Sequence, residues 1–190
     1  MKILFLLLLP LAIPALAQPP HGDHHHPHHG HHHPGHGHAH GAGEHMPYAG
    51  LEERSIQALS EQEIEDLRAG RGMSMALAAE LNGYPGPLHT LELARELELT
   101  SEQEQQTRQL FAEMQQEAGR LGEELVGAEE ALDRLFGERE ATPASVLKAS
   151  MKAAELRGRL RATHLLYHLE MMDVLSLEQV ERYNTLRGYR

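Results

Sequence analysis

The sequence predicts an all-α protein built on a long antiparallel helical hairpin with additional shorter helices. Three observations carry that expectation. First, Leu59-Ser60-Glu61-Gln62-Glu63-Ile64, Leu99-Thr100-Ser101-Glu102-Gln103 and Leu175-Ser176-Leu177-Glu178-Gln179 each place Ser or Thr at a helix N-cap with Glu or Gln three residues on. In that box the two side chains reciprocally satisfy backbone N–H groups that a helix start leaves free. Second, Met114, Ala118, Leu121, Leu125, Ala128, Leu132 and Leu135 recur at alternating four and three spacing, a heptad seam. Third, the chain has no Trp, no Cys and only three Phe, and is rich in Leu, Ala, Glu, Gln and Arg.

Taken in chain order, residues 1–17 read as a cleavable export signal. Lys2 supplies the charged region, an apolar run interrupted by Pro10 follows, and Ala15-Leu16-Ala17 offers a small-x-small cleavage site, so the mature chain is expected to begin at Gln18. A membrane anchor is the competing reading, but a span needs about 20 apolar residues and this run is shorter and holds Pro10 and Pro14. A periplasmic location is expected, with no stable membrane insertion after cleavage. Residues 18–47 are a low-complexity tail with almost no apolar side chains to offset the entropy of ordering, and are expected to be disordered. Residues 48–190 form the single folded domain.

Within that domain the first helix is expected over 60–81. Asn82-Gly83 offers a left-handed C-cap and Pro85-Gly86-Pro87 a turn, while Gly70 and Gly72 mark either a break or a close helix crossing. A short helix over 88–97 leads into a long one over 101–136, ended by Gly137. Thr142-Pro143 restarts the chain with a cap and a proline in the first turn. The next helix, 144–174, carries an apolar stripe at Val146, Ala149, Ala153, Leu156, Leu160, His164, Tyr167, Met171 and Val174, and the last helix starts at Ser176. Two long helices joined by a short loop make the hairpin.

Charge is consistent with the pairing and narrows the partners. Residues 101–140 hold eleven acidic and four basic side chains, and residues 144–190 eight basic and five acidic, so opposite signs face each other. A formal net charge of −11 argues against nucleic acid as a partner. No Gly-rich phosphate loop, nucleophile triad or catalytic carboxylate pair is present, and the chain does not read as an enzyme.

Leu99 to Gln103 at the start of the long helix, and Leu175 to Gln179 near the C-terminus, are a pair of Leu-[Ser/Thr]-x-x-Gln boxes around a hairpin. In this the chain resembles the periplasmic LTxxQ family, the Spy and CpxP type chaperones and related heavy-metal resistance and sensor proteins of the CnrX and ZraP type. The likeness covers about residues 88–189, and the segment from Leu67 through Pro87 is similar to a subgroup of the same family. The resemblance implies a homodimer without enzymatic activity, serving in envelope stress or metal resistance. Its partners would be unfolded clients for a holdase chaperone, or a membrane-bound signalling protein for a metal sensor. This body is acidic where the best-known chaperone cradle is basic, and the signal reads as cleavable where the sensors are usually tethered.

Thirteen of the sixteen histidines fall in the tail: His21, His24, His25, His26, His28, His29, His31, His32, His33, His36, His38, His40 and His45. Imidazole is a common ligand for divalent Zn, Ni, Co and Cu, so the tail is expected to chelate them with Cu(II) tightest. Binding should weaken in acid as the rings protonate. A solvated spacer, or a simple metal buffer, is the plainer reading. His164 and His168 are the sharper candidates, since four-residue spacing puts both on one helix face, with Met172 a turn further on. In the sensors a His-x-x-x-Met pair sits at this point; here His164 matches the His and His168 stands for the Met. The competing reading makes His164 a core histidine and His168 a surface one. Upstream, the sensors draw on a histidine pair, and this chain offers only His89. Glu113 is a further oxygen donor. Leu165 stands where a zincin helix needs its Glu base, which rejects hydrolysis. Met73, Met75, Met171 and Met172 suggest Cu(I) less readily than simple packing.

Overall fold

The computed structural model describes residues 48–189, which belong to one compact unit, Gly43–Arg190. The export signal, the tail and its histidines lie outside the described residues. Six α-helices follow a short 3-10 turn: α1 (Glu61–Arg68), α2 (Leu77–Glu80), α3 (Pro87–Glu92), α4 (Ser101–Gly137), α5 (Pro143–Val174) and α6 (Leu177–Arg187). The described residues are all-helical, as the sequence predicts. Among them no helix is long and apolar enough to cross a membrane.

The capping boxes form where the sequence places them. Ser60 with Glu63, Thr100 with Gln103 and Ser176 with Gln179 each make both reciprocal bonds. A fourth box, Thr142 with Ser145, starts α5. Leu59 and Ile64 are both buried, as a hydrophobic staple requires.

The expected helix over 60–81 is divided. α1 stops at Arg68, Gly70 turns left-handed (φ +64°), and the Arg71 amide bonds back to the Asp66 carbonyl, closing α1 in a Schellman turn. At Gly70 both readings hold at once, because the break is also a close crossing, whereas Gly72 has nothing within 4 Å of where a methyl would sit. A methyl on Gly70 would overlap the Gln115 carbonyl of α4, and one on Gly122 would overlap the Leu67 carbonyl. α2 is then only one turn, ended at Gly83 (φ +85°). The helix expected over 88–97 begins at Pro87 and stops at Glu92, and the turns that follow close at a left-handed Glu98 (φ +53°), where the Leu99 amide bonds back to the Ala94 carbonyl. α4 runs through Gly137 instead of ending before it; the left-handed residue is Arg139, two positions on, where the chain must reverse to reach Thr142.

α4 and α5 pair along most of their length as the antiparallel hairpin. One apolar cluster joins Leu121, Leu125 and Val126 of α4 to Ala153, Leu156 and Leu160 of α5, roofed by Ile56, Leu59, Ile64 and Leu67. A second, at the α5–α6 turn, contains Met171, Leu175 and Val180 with Leu99, Leu110 and Met172 packed against it. Burial of these side chains supplies most of the stability, at roughly 1.5–3 kcal/mol for each large one. Arg157 reaches Glu129 across the hairpin at 3.0 Å, a half-exposed pair worth at most about 1 kcal/mol.

The boxes also hold the helix starts together. Gln103 donates to the Gln179 side-chain carbonyl at 2.8 Å and Gln179 donates back to Gln103 at 3.0 Å. Each amide nitrogen bonds in addition a chain carbonyl, Val174 for Gln103 and Leu97 for Gln179. Each glutamine thus caps its own helix and clasps the other.

Candidate functional site

On the hairpin seam the apolar pattern is interrupted at one level. Between Leu110 and Ala118 of α4 stands Met114; between Leu160 and Met171 of α5 stand His164 and His168. The break of α1 and the run from α2 to α3 lie across this level, and they leave a pocket of about 550 Å³ lined by His164, His168, His89, Glu80, Met73 and Met114, with Arg187 and Tyr189 from the C-terminal end.

His164 is 2% exposed and His168 6%. The reading of His168 as a surface residue is therefore corrected, and so is the stripe itself: Tyr167, expected inside, is only half-buried. The α2–α3 segment covers a flank of α5 that a bare two-helix hairpin leaves in water. His168 donates from Nδ1 to the Tyr84 carbonyl at 2.7 Å. With that proton placed, its neutral ring carries the lone pair on Nε2. The Nε2 of His164 is buried and has no hydrogen-bond partner. Burial, and then the charge His168 carries when protonated, hold the His164 pKa below the ordinary histidine value.

Glu80, the one charged side chain between Arg71 and Glu92 apart from His89, is 6% exposed. Its Oε1 accepts from Tyr183 at 2.5 Å and Tyr189 at 3.0 Å, with Arg187 at 3.4 Å. Burial first, and then the bond to Glu80, push the Tyr183 hydroxyl far above the usual tyrosine pKa, so it stays a donor. The other oxygen, Oε2, is unpartnered and lies 3.7 Å from His168 Nδ1. Sequence reading passed over Glu80. A lone carboxylate in the apolar run Leu77-Ala78-Ala79-Glu80-Leu81 was the available signal, since only a partnered acid is stable inside.

The remaining candidates separate. His89 lines the pocket, and its Nδ1 is paired with Glu92 at 2.8 Å. Met172 packs with Met171 and Leu175 in the second apolar cluster and does not reach the pocket. Glu113 is exposed and accepts from Gln109 at 2.8 Å. Met75 packs against the first cluster, whereas Met73 both packs there and lines the pocket. Among the described residues no three His, Cys, Asp or Glu side chains converge as a ready metal site. The pocket is lined instead by two imidazoles, one carboxylate and two thioethers, and two polar atoms of that lining, His164 Nε2 and Glu80 Oε2, are buried without a hydrogen-bond partner.

Compared with models of known protein families, with curated proteins and with solved structures, the chain matches none.

Proposed function

We propose that this is an exported, non-enzymatic metal-binding protein whose specific site is the pocket at His164 and His168, with a transition metal of the Zn, Ni, Co or Cu group as occupant. The observation that carries the reading is the unpartnered, buried Nε2 of His164 beside a His168 ring anchored through Nδ1 on the Tyr84 carbonyl. Metal-ligating histidines characteristically hold their second ring nitrogen on a carbonyl or carboxylate, which fixes the tautomer and aims the lone pair. Leaving such a nitrogen buried and unbonded costs about 1–3 kcal/mol, a cost that a ligand removes. Residues 18–47 would collect metal through their histidines, and the paired boxes are the feature shared with the periplasmic chaperone and sensor proteins.

The test is a titration of a chain lacking residues 18–47 with Ni, Co, Zn and Cu. Stoichiometric binding that His164→Ala abolishes is expected. If all binding disappears with the tail, the protein is a metal buffer and the pocket reading falls.

A second property, holdase activity or self-association, is supported by a separate observation. Leu147, Met151 and Leu169 are 65%, 63% and 51% exposed and recur with Ala154, Gly158 and Ala162 along one face of α5, away from the buried stripe. A continuous exposed apolar stripe of this kind suits an unfolded client or a second copy of the chain.

A further inference from the structure

We infer that the ion this pocket selects is cuprous copper, held by the thioethers of Met73 and Met114 together with the His164 imidazole. The inference rests on the metal reading of the pocket and adds the oxidation state and the sulfur ligands. Met114 is 7% exposed, yet it belongs to neither apolar cluster: it lines the pocket, as His164 does. Met73 reaches the pocket from the strained part of the chain. Met73 and Ser74 are consecutive non-glycine residues at φ +44° and +62°, a conformation costing roughly 1–2 kcal/mol per residue. Strain of this order persists where surrounding structure over-determines it, commonly at ligand clamps.

The donor set decides against harder ions. Zn, Ni and Co favour nitrogen and oxygen ligands, and the described residues bring no three His, Cys, Asp or Glu side chains to one point. Thioethers with imidazole select Cu(I). Charge agrees, because burying an ion costs energy that rises steeply with its charge, and His164 and both methionines are neutral. The buried Glu80 carboxylate, held by Tyr183 and Tyr189, is charge-matched by Arg187 at 3.4 Å.

The experiment uses the full chain labelled with ¹³C in its methionine methyls, each resonance assigned from a Met→Leu variant. Cu(I), supplied anaerobically as its bicinchoninate complex, should shift the Met73 and Met114 methyls, and Zn(II) should not. The Cu(I) shifts should vanish in His164→Ala. Because each methyl is read individually, copper held by residues 18–47 does not obscure the result. If Zn(II) or Cu(I) moves the His164 and His168 ring resonances while the Met73 and Met114 methyls stay in place, the sulfur ligation is overturned and the metal reading stands. If no metal moves either rings or methyls, both fall.

Discussion

At His164 stability and the proposed metal binding pull in opposite directions. Its Nε2 is buried without a partner, so His164→Leu, which removes that polar atom, should raise the stability of the metal-free protein by about 1–3 kcal/mol in urea unfolding. The same change should abolish metal binding at the pocket. The pH dependence has a definite sign. Burial lowers the folded-state pKa of His164, so the unfolded chain takes up this proton first as pH falls. The metal-free protein should therefore lose stability from about pH 6.5 downward until the folded-state pKa is passed, and His164→Leu should flatten that slope relative to wild type. An unchanged slope would remove the buried-neutral assignment. Glu80→Leu makes a contrasting case, since it strands the Tyr183 hydroxyl and leaves Arg187 without its carboxylate; a loss of about 3 kcal/mol is expected. Four-residue spacing was enough to put His164 and His168 on one face, but their burial was not legible. It depends on Tyr84 and Glu80, about eighty residues upstream in the chain.

At the scale of the helix, two kinds of glycine are distinguished by what stands opposite them. Gly122→Ala should destabilise by about 1–3 kcal/mol, because the added methyl meets the Leu67 carbonyl and neither backbone can withdraw cheaply. Gly127, on the same helix, faces open space, and Gly127→Ala should stabilise by about 1 kcal/mol through helix propensity. Thermal unfolding of the two variants reads the difference directly, and changes of equal sign would contradict the close crossing of α1 on α4. Gln103→Glu tests the clasp. The carboxylate still caps α4, as Glu63 caps α1, but it cannot donate to Val174 or Gln179, so a loss of about 1–3 kcal/mol should appear without loss of helix content. The caps were fully legible because Ser or Thr and Gln bond within four residues. Their mutual pairing was not, because it joins positions 76 residues apart.

Over the whole molecule, α5 is asked to be apolar on two faces: one packs on α4, and the other, through Leu147, Met151 and Leu169, lies in solvent. If that outer face mediates self-association or client holding, Leu147→Glu with Met151→Glu should reduce the mass seen in sedimentation or weaken suppression of a denatured client's aggregation. The fold itself should be retained, since both side chains are already exposed. Unchanged mass together with unchanged suppression would leave the stripe without either role.

Helix type, the starts of α1, α4, α5 and α6 and the hairpin seam follow from the sequence alone, because caps and periodicity act over a few residues, whereas at Gly70 the sequence left a break and a close crossing as alternatives. The tertiary structure decided what lies across the seam. It split the first expected helix, folded α2 and α3 over a flank of α5, buried His168, brought Glu80 and two methionines to the same pocket and sent Met172 elsewhere. The reason is distance along the chain: which side chains share a pocket depends on how separate helices cross, and the periodicity of a single helix carries no information about its neighbour.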